Sequence, residues 1–195
     1  MSIRLAHFLA DFFVSRRWIG EDAKIVYVVG LDVIFSTALD WIVVGMLGLI
    51  RGRFLEAAVY LLFFMTVRRY AGGYHASTRT GCFAIFVGFY LLADMVMAGI
   101  CMGGGEWFRW TFTVCSMAVG ELVFCFLTPI ANDRKRYTNE ERKGAKRKAF
   151  ICLNIWYCLA VGMAVFGVAL SGQIIAASNI VVLLILMKKG KEVKR

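Results

Sequence analysis

The chain is poor in charged residues, proline and histidine. Charged residues make up 18% of it, and it has one proline and two histidines. Soluble domains carry about 25% charged residues, so an ordinary soluble fold is disfavoured. His7 and His75 are far apart, and neither a CxxC nor an HExxH pattern occurs. Because these patterns supply most zinc ligands, we expect no metal, and we expect no other cofactor.

Apolar residues, in contrast, are abundant. They make up 60% of the chain, and the mean hydropathy is +0.69. Because about 20 apolar residues span a bilayer as a helix, this composition predicts an all-α integral membrane protein. No repeat divides the chain, so we expect residues 1–195 to form a single membrane domain.

Six apolar segments follow an amphipathic helix that we expect over residues 3–18, lying either in the membrane interface or against the bundle. The second segment is short enough to be re-entrant instead of spanning. We expect a loop at Gly103-Gly104-Gly105 and a tight turn at Ser171-Gly172-Gln173. The apolar segments cover residues 25–50, 54–67, 82–100, 107–130, 150–170 and 174–187.

The net charge of +10 is concentrated at the ends of apolar segments. A charged connector over residues 131–149 carries a net charge of +5, and the tail over residues 188–195 carries +4. Basic loops favour the cytoplasm, so we expect both termini there and six crossings of the membrane. Arg51 and Arg53 are the exception, because this topology places them outside. Nucleic-acid binding is disfavoured, since no basic stripe lies on a soluble domain.

One polar segment, residues 68–84, interrupts the apolar runs and holds His75 seven residues before Cys82. On one continuous helix these residues would be about 10 Å apart along the axis, so a thiol–imidazole contact requires the chain to bend. Gly72-Gly73 and the polar residues before Cys82 permit a bend, and Thr80 is the expected N-cap of the next helix. Arg79 and the helix N-terminus would favour a thiolate at Cys82.

The intramembrane carboxylates leave several readings open. Asp32, Asp40, Asp94 and Glu121 lie inside apolar segments, where charge is costly. Each could orient His75, pair with an arginine of the polar segment, or be a satisfied residue of the bundle. A small transporter would use them as a relay and tolerate the loss of Cys82, whereas a non-catalytic scaffold that binds a peptide would tolerate changes at both Cys82 and His75.

The polar segment resembles the accessory gene regulator B (AgrB) family. The resemblance rests on a basic pair, a small-residue stretch, a histidine and a cysteine seven positions later: Arg68-Arg69, Ala71-Gly72-Gly73, His75 and Cys82. A second match is the proline followed by a basic loop, here Pro129 and Arg134-Lys135-Arg136.

The resemblance implies a membrane cysteine endopeptidase that processes an AgrD-type pro-peptide in quorum sensing. It implies Cys82 as nucleophile and His75 as general base, with Arg68 and Gly73 at positions tied to activity. Supporting or substrate-binding roles fall to Arg79 and to the basic stretch Arg134, Lys135 and Arg136. The family resemblance further implies a homodimer in the lipid bilayer, no metal, and a product that is a thiolactone or a lactone.

Overall fold

The chain folds into helices in a computed structural model that describes residues 2–74, 76, 78–103, 105–130, 138–164 and 168–193. The expected all-α fold is confirmed for these residues, which contain no strand. The seven α-helices are α1 (Ser2–Ser15), α2 (Lys24–Ile50), α3 (Phe54–Ala71), α4 (Arg79–Gly103), α5 (Glu106–Leu127), α6 (Asn139–Ala164) and α7 (Val168–Val193), with a 3₁₀ turn at Glu21–Ala23.

Helix α7 forms the centre of the bundle. It packs against α3, α4, α5 and α6, and α3 in turn packs against α2 and α6. In the apolar part of α7, 67% of the residues are buried, against 11% in that of α2. The apolar parts of α4 and α5 are 28% and 17% buried, so these two helices and α2 leave many apolar side chains exposed, as expected of helices that face lipid.

Four helices are long and apolar enough to cross a membrane. They cover Glu21–Ile50, Arg79–Gly99, Glu106–Leu127 and Ala169–Lys188. Helix α3 is shorter, with Glu56 in its first turn and two arginines in its last. Helix α6 starts with a charged stretch. The chain is thus a membrane protein with at least four candidate spans, and the count of six crossings stays a prediction.

The tight turn expected at residues 171–173 is wrong. These residues lie inside α7, which begins at Val168. A Cβ on Gly172 would clash with the side chain of Met97 on α4, so Gly172 is a close-packing residue. Small residues often let membrane helices approach each other in this way. Helix α6 is described up to Ala164 and α7 from Val168, and residues 165–167 lie outside the described part.

The charged connector expected over residues 131–149 is partly helical, because α6 begins at Asn139. A capping box starts it: Thr138 Oγ1 accepts from the Glu141 amide at 3.3 Å, and Glu141 Oε2 accepts from the Thr138 amide at 3.0 Å. The basic residues after Glu141 therefore extend α6 beyond its apolar part. Residues 131–137 lie outside the described residues.

Helix α1 packs on α2 with its small residues. Ala6 and Ala10 are buried beside Val28, while Phe8 and Trp18 are exposed. An ion pair of 2.7 Å between Asp11 and Lys24 joins the two helices. The amphipathic helix expected over residues 3–18 therefore rests on the bundle and also presents apolar side chains outward.

An ion-pair cluster joins the α2–α3 turn to the middle of α4. Arg51 Nε lies 2.7 Å and Arg53 Nη1 lies 2.8 Å from the carboxylate of Asp94, whose side chain is fully buried. Gly52 forms the turn with a φ of +67°. The two arginines that the charge pattern left unexplained thus neutralise a carboxylate in the bundle.

Asp94→Ala should lower the thermal unfolding midpoint in detergent by about 10 °C, because it leaves two arginines without their buried partner. The control is Glu106→Ala, which removes an exposed carboxylate 3.8 Å from Arg109 and should change the midpoint by little. Tryptophan fluorescence on heating measures both. Equal midpoints for the two variants would show that the Asp94 cluster does not stabilise the fold.

Candidate functional site

The polar segment between α3 and α4 begins with two glycines in left-handed backbone conformations. Gly72 has φ +76° and Gly73 has φ +128°. Residues with side chains rarely adopt these angles, which accounts for the glycine pair. At Gly72 a Cβ would also lie 2.6 Å from the Ile130 carbonyl oxygen. The glycines turn the chain sharply away from the axis of α3.

Main-chain hydrogen bonds hold this segment in place. The Ile130 amide donates to the Ala71 carbonyl at 3.1 Å, and the Tyr74 amide donates to the Leu184 carbonyl at 3.1 Å. Gly73 is buried, and a Cβ there would touch the Leu184 side chain. The end of α3 is therefore fixed between the residues that follow α5 and the central helix α7.

Helix α4 starts at the other end of the segment. The Gly81 amide donates to Thr78 Oγ1 at 3.1 Å, so Thr78 is the N-cap. The expected cap, Thr80, is wrong by two residues and lies within the first turn of α4. Cys82 is the fourth residue of the helix and is half-buried, and its amide donates to the Thr78 carbonyl. The expectation that Cys82 lies in the first turn is confirmed.

Arg68, near the end of α3, is directed into the site. Its Nη2 donates to the Tyr74 carbonyl at 2.7 Å, and its guanidinium lies 4.8 Å from the centre of the Phe64 ring. This geometry is a cation–π contact. The guanidinium is also within electrostatic range of the Cys82 thiol and of Asp40. A positive charge therefore lies near the cysteine, and it comes from α3.

Arg79, which the sequence placed beside Cys82, is engaged elsewhere. Its two terminal nitrogens pair with the two carboxylate oxygens of Asp32 on α2. The Asp32 side chain is buried and that of Arg79 is about half exposed. The positive charge of Arg79 is thus largely offset by the Asp32 carboxylate. A supporting role for Arg79 at Cys82 stays a prediction.

The other intramembrane carboxylates have polar partners too. Asp94 pairs with arginines of the α2–α3 turn, and Glu121 on α5 lies near the polar side chain of Asn154 on α6. Nearby, Tyr157 and Ser178 hydroxyls lie 2.6 Å apart. The reading that these acids are satisfied residues of the bundle therefore fits both Asp94 and Glu121.

Several predicted site residues fall outside the described part of the chain. They are His75 and the basic stretch Arg134, Lys135 and Arg136. None of the described residues between Ala71 and Arg79 is helical, so α3 does not continue into α4, and the contact between His75 and Cys82 stays a prediction. Within the described residues, no three histidine, cysteine or carboxylate side chains lie together as metal ligands would.

Sequence reasoning missed the residues that hold the segment. The glycine pair indicates a close approach of main chains, but the neighbouring sequence does not identify which residues approach it. Ile130 and Leu184 are apolar residues among many others, and they contribute main-chain atoms. Tyr74 was overlooked for the same reason, since both of its main-chain groups are engaged.

Gly72→Ala should lower the thermal unfolding midpoint by about 3–10 °C, because it adds a strained φ and a clash with the Ile130 carbonyl. Gly88→Ala is the matched control on α4, where a Cβ would meet nothing within 4 Å. Heating both variants in the same detergent measures the difference. A Gly72→Ala midpoint equal to that of the control would rule out the tight turn described here.

Comparison with known proteins places this chain in a family. The family model described as accessory gene regulator B matches residues 6–188. AgrB-like proteins of Listeria innocua and Listeria monocytogenes are 26% identical over 156 residues, which cover 76% of this chain and 72% of each relative. No solved structure matches the chain at the same significance. The chain therefore belongs to the accessory gene regulator B family, which is involved in agr quorum-sensing processing.

Proposed function

We propose that the protein is a membrane-embedded cysteine endopeptidase that removes the C-terminal tail of an AgrD-type pro-peptide. The observation that carries the proposal is the position of Cys82, half-buried at the start of α4 and within electrostatic range of Arg68, in a chain of this family. Nucleophilic cysteines are found in such electropositive, partly accessible settings near helix N-termini.

In the first step, His75 takes the proton of the Cys82 thiol. The thiolate attacks the carbonyl carbon of the scissile peptide bond, and the carbon–nitrogen bond breaks. The proton passes from His75 to the leaving amine, and the C-terminal tail departs. The rest of the peptide stays on Cys82 as a thioester.

In the second step, a cysteine of the peptide attacks this thioester. The sulfur of the peptide cysteine forms a new thioester within the peptide, and Cys82 leaves as a thiolate. The proton of the peptide thiol passes to the Cys82 thiolate. The exchange replaces one thioester by another, so it needs no ATP. Water would hydrolyse the intermediate, and a site enclosed by helices favours the ring. A serine in place of the peptide cysteine would give a lactone.

Arg68 supports this chemistry as a fixed positive charge. The Tyr74 carbonyl and the Phe64 ring hold its guanidinium in place, within electrostatic range of the cysteine. A charge held in this way stabilises a thiolate and the oxyanion that forms on attack. Gly73 contributes by letting the segment lie against Leu184.

The partners follow from the family and from charge. An AgrD-type pro-peptide is the substrate, and the basic stretch Arg134-Lys135-Arg136 attracts its acidic tail from the cytoplasmic side. The protein works in the bilayer as a homodimer. A transporter that uses its acids as a relay is less well supported, because Asp32 and Asp94 are ion-paired with arginines.

Cys82→Ala and His75→Ala should each reduce cleavage of a co-expressed pro-peptide by at least about 10³-fold, because each removes a reacting group. Mass spectrometry of the peptide products measures cleavage and separates ring from linear product. The matched control is Cys152→Ala, which replaces a half-buried cysteine of α6 and should leave cleavage unchanged. If the Cys82→Ala protein is present in the membrane and still cleaves, the proposed nucleophile is wrong.

A cytoplasmic C-terminus follows from the net charge of +4 on residues 188–195. Alkaline phosphatase fused after Arg195 should be inactive, and green fluorescent protein at the same place should fluoresce. The control is the same pair of fusions after Gly105, where phosphatase should be active and fluorescence absent. The reverse pattern at Arg195 would contradict the orientation.

A further inference from the structure

Helix α2 presents two carboxylates to the site. Asp32 and Asp40 are separated by eight residues and lie near one face of the helix. Asp32 pairs with Arg79, the first residue of α4, and Asp40 is within electrostatic range of Arg68 in the last turn of α3. Two arginines of the polar segment therefore have an acidic counterpart on α2.

Asp32 is an unusual residue for its helix. Most of α2 is exposed, and the buried residues described on it are Val28, Asp32, Val44 and Gly48. Charge is costly in an apolar bundle unless it is paired. The pair with Arg79 therefore fixes how α2 sits against the start of α4.

The geometry links this ion pair to the cysteine. Arg79 is the first residue of α4 and Cys82 follows three positions later, so their side chains are neighbours on the helix surface. A cation at a helix N-terminus opposes the helix dipole, whereas an anion there stabilises the first turn. The carboxylate of Asp32 therefore offsets the unfavourable charge of Arg79 in the turn that carries Cys82.

We propose that Asp32 is a positioning residue: its two-pronged ion pair with Arg79 holds the first turn of α4, and with it the Cys82 thiol, in place. The assignment rests on the proposed peptidase function. It does not involve contact between Asp32 and the substrate. The pair acts through α4.

The test compares Asp32→Asn with Arg79→Lys, with the reciprocal swap Asp32→Arg/Arg79→Asp, and with Lys24→Gln. The last variant breaks the other ion pair of α2, to Asp11, and is the matched control. Each variant is reconstituted in liposomes with the pro-peptide. Initial rates give kcat and KM per folded enzyme, with the folded amount taken from size-exclusion chromatography.

Asp32→Asn should lower kcat by about 10- to 100-fold with KM nearly unchanged, since a misplaced reacting group slows the chemical step. Arg79→Lys keeps the charge but loses the two-pronged contact and should lie between Asp32→Asn and the wild type. The reciprocal swap should have a kcat at least about tenfold above that of Asp32→Asn, and the kcat of Lys24→Gln should equal that of the wild type. A kcat for Asp32→Asn equal to that of Lys24→Gln, or a swap that recovers nothing, would overturn the proposal.

A second measurement does not depend on peptidase activity. With the other five cysteines replaced by alanine, Cys82 is alkylated by iodoacetamide, and its rate reports how firmly the first turn is held. In the Asp32→Asn variant, iodoacetamide should alkylate Cys82 about fivefold faster, because the first turn of α4 opens more often. An unchanged rate would refute the positioning role even if Cys82 proved not to be the nucleophile. If the rate rises while Cys82→Ala still cleaves, the peptidase assignment fails and the positioning of Cys82 stands.

Discussion

A charged side chain among apolar helices is costly unless an opposite charge or a polar group compensates it, and this requirement shapes the described part of the bundle. Asp94 ties the α2–α3 turn to α4, and Asp32 ties α2 to the start of α4. Arg68 is accommodated by a carbonyl, an aromatic ring and the nearby carboxylate of Asp40. Since lipid supplies no hydrophobic force between helices, these contacts decide which faces meet.

The apolar helices could be predicted from sequence because hydropathy accumulates along a contiguous stretch. The loop expected at Gly103-Gly104-Gly105 is confirmed only at Gly105, which precedes α5, because Gly103 is the last residue of α4 and Gly104 lies outside the described residues. The turn expected at residues 171–173 failed because Gly172 serves a contact with Met97, which lies far away in sequence. A local pattern does not distinguish a glycine that turns the chain from one that lets two helices approach.

In the candidate site, too, the local sequence features could be predicted, whereas the contacts that depend on the fold could not. Cys82 and the glycine pair stand out because a polar cluster between apolar runs is conspicuous. The arginine partners were not predictable, because Arg79 is nearer to Cys82 in sequence but pairs with Asp32, while the fold brings Arg68 within electrostatic range of Cys82. The carboxylates of α2 could be placed on one face from their spacing, but their partners depend on how the helices pack.

The hydrogen bond from the Tyr74 amide to the Leu184 carbonyl joins main chain to main chain. Such a bond specifies a path of the backbone and no particular side chain at either end. The hydrogen bond therefore leaves the side chain at position 184 unspecified, although the buried position of α7 still requires apolar residues there. The constraint on the polar segment falls instead on Gly73, whose φ of +128° is one that residues with side chains rarely adopt. A comparison of related sequences would consequently register the glycine and overlook the helix that restrains it.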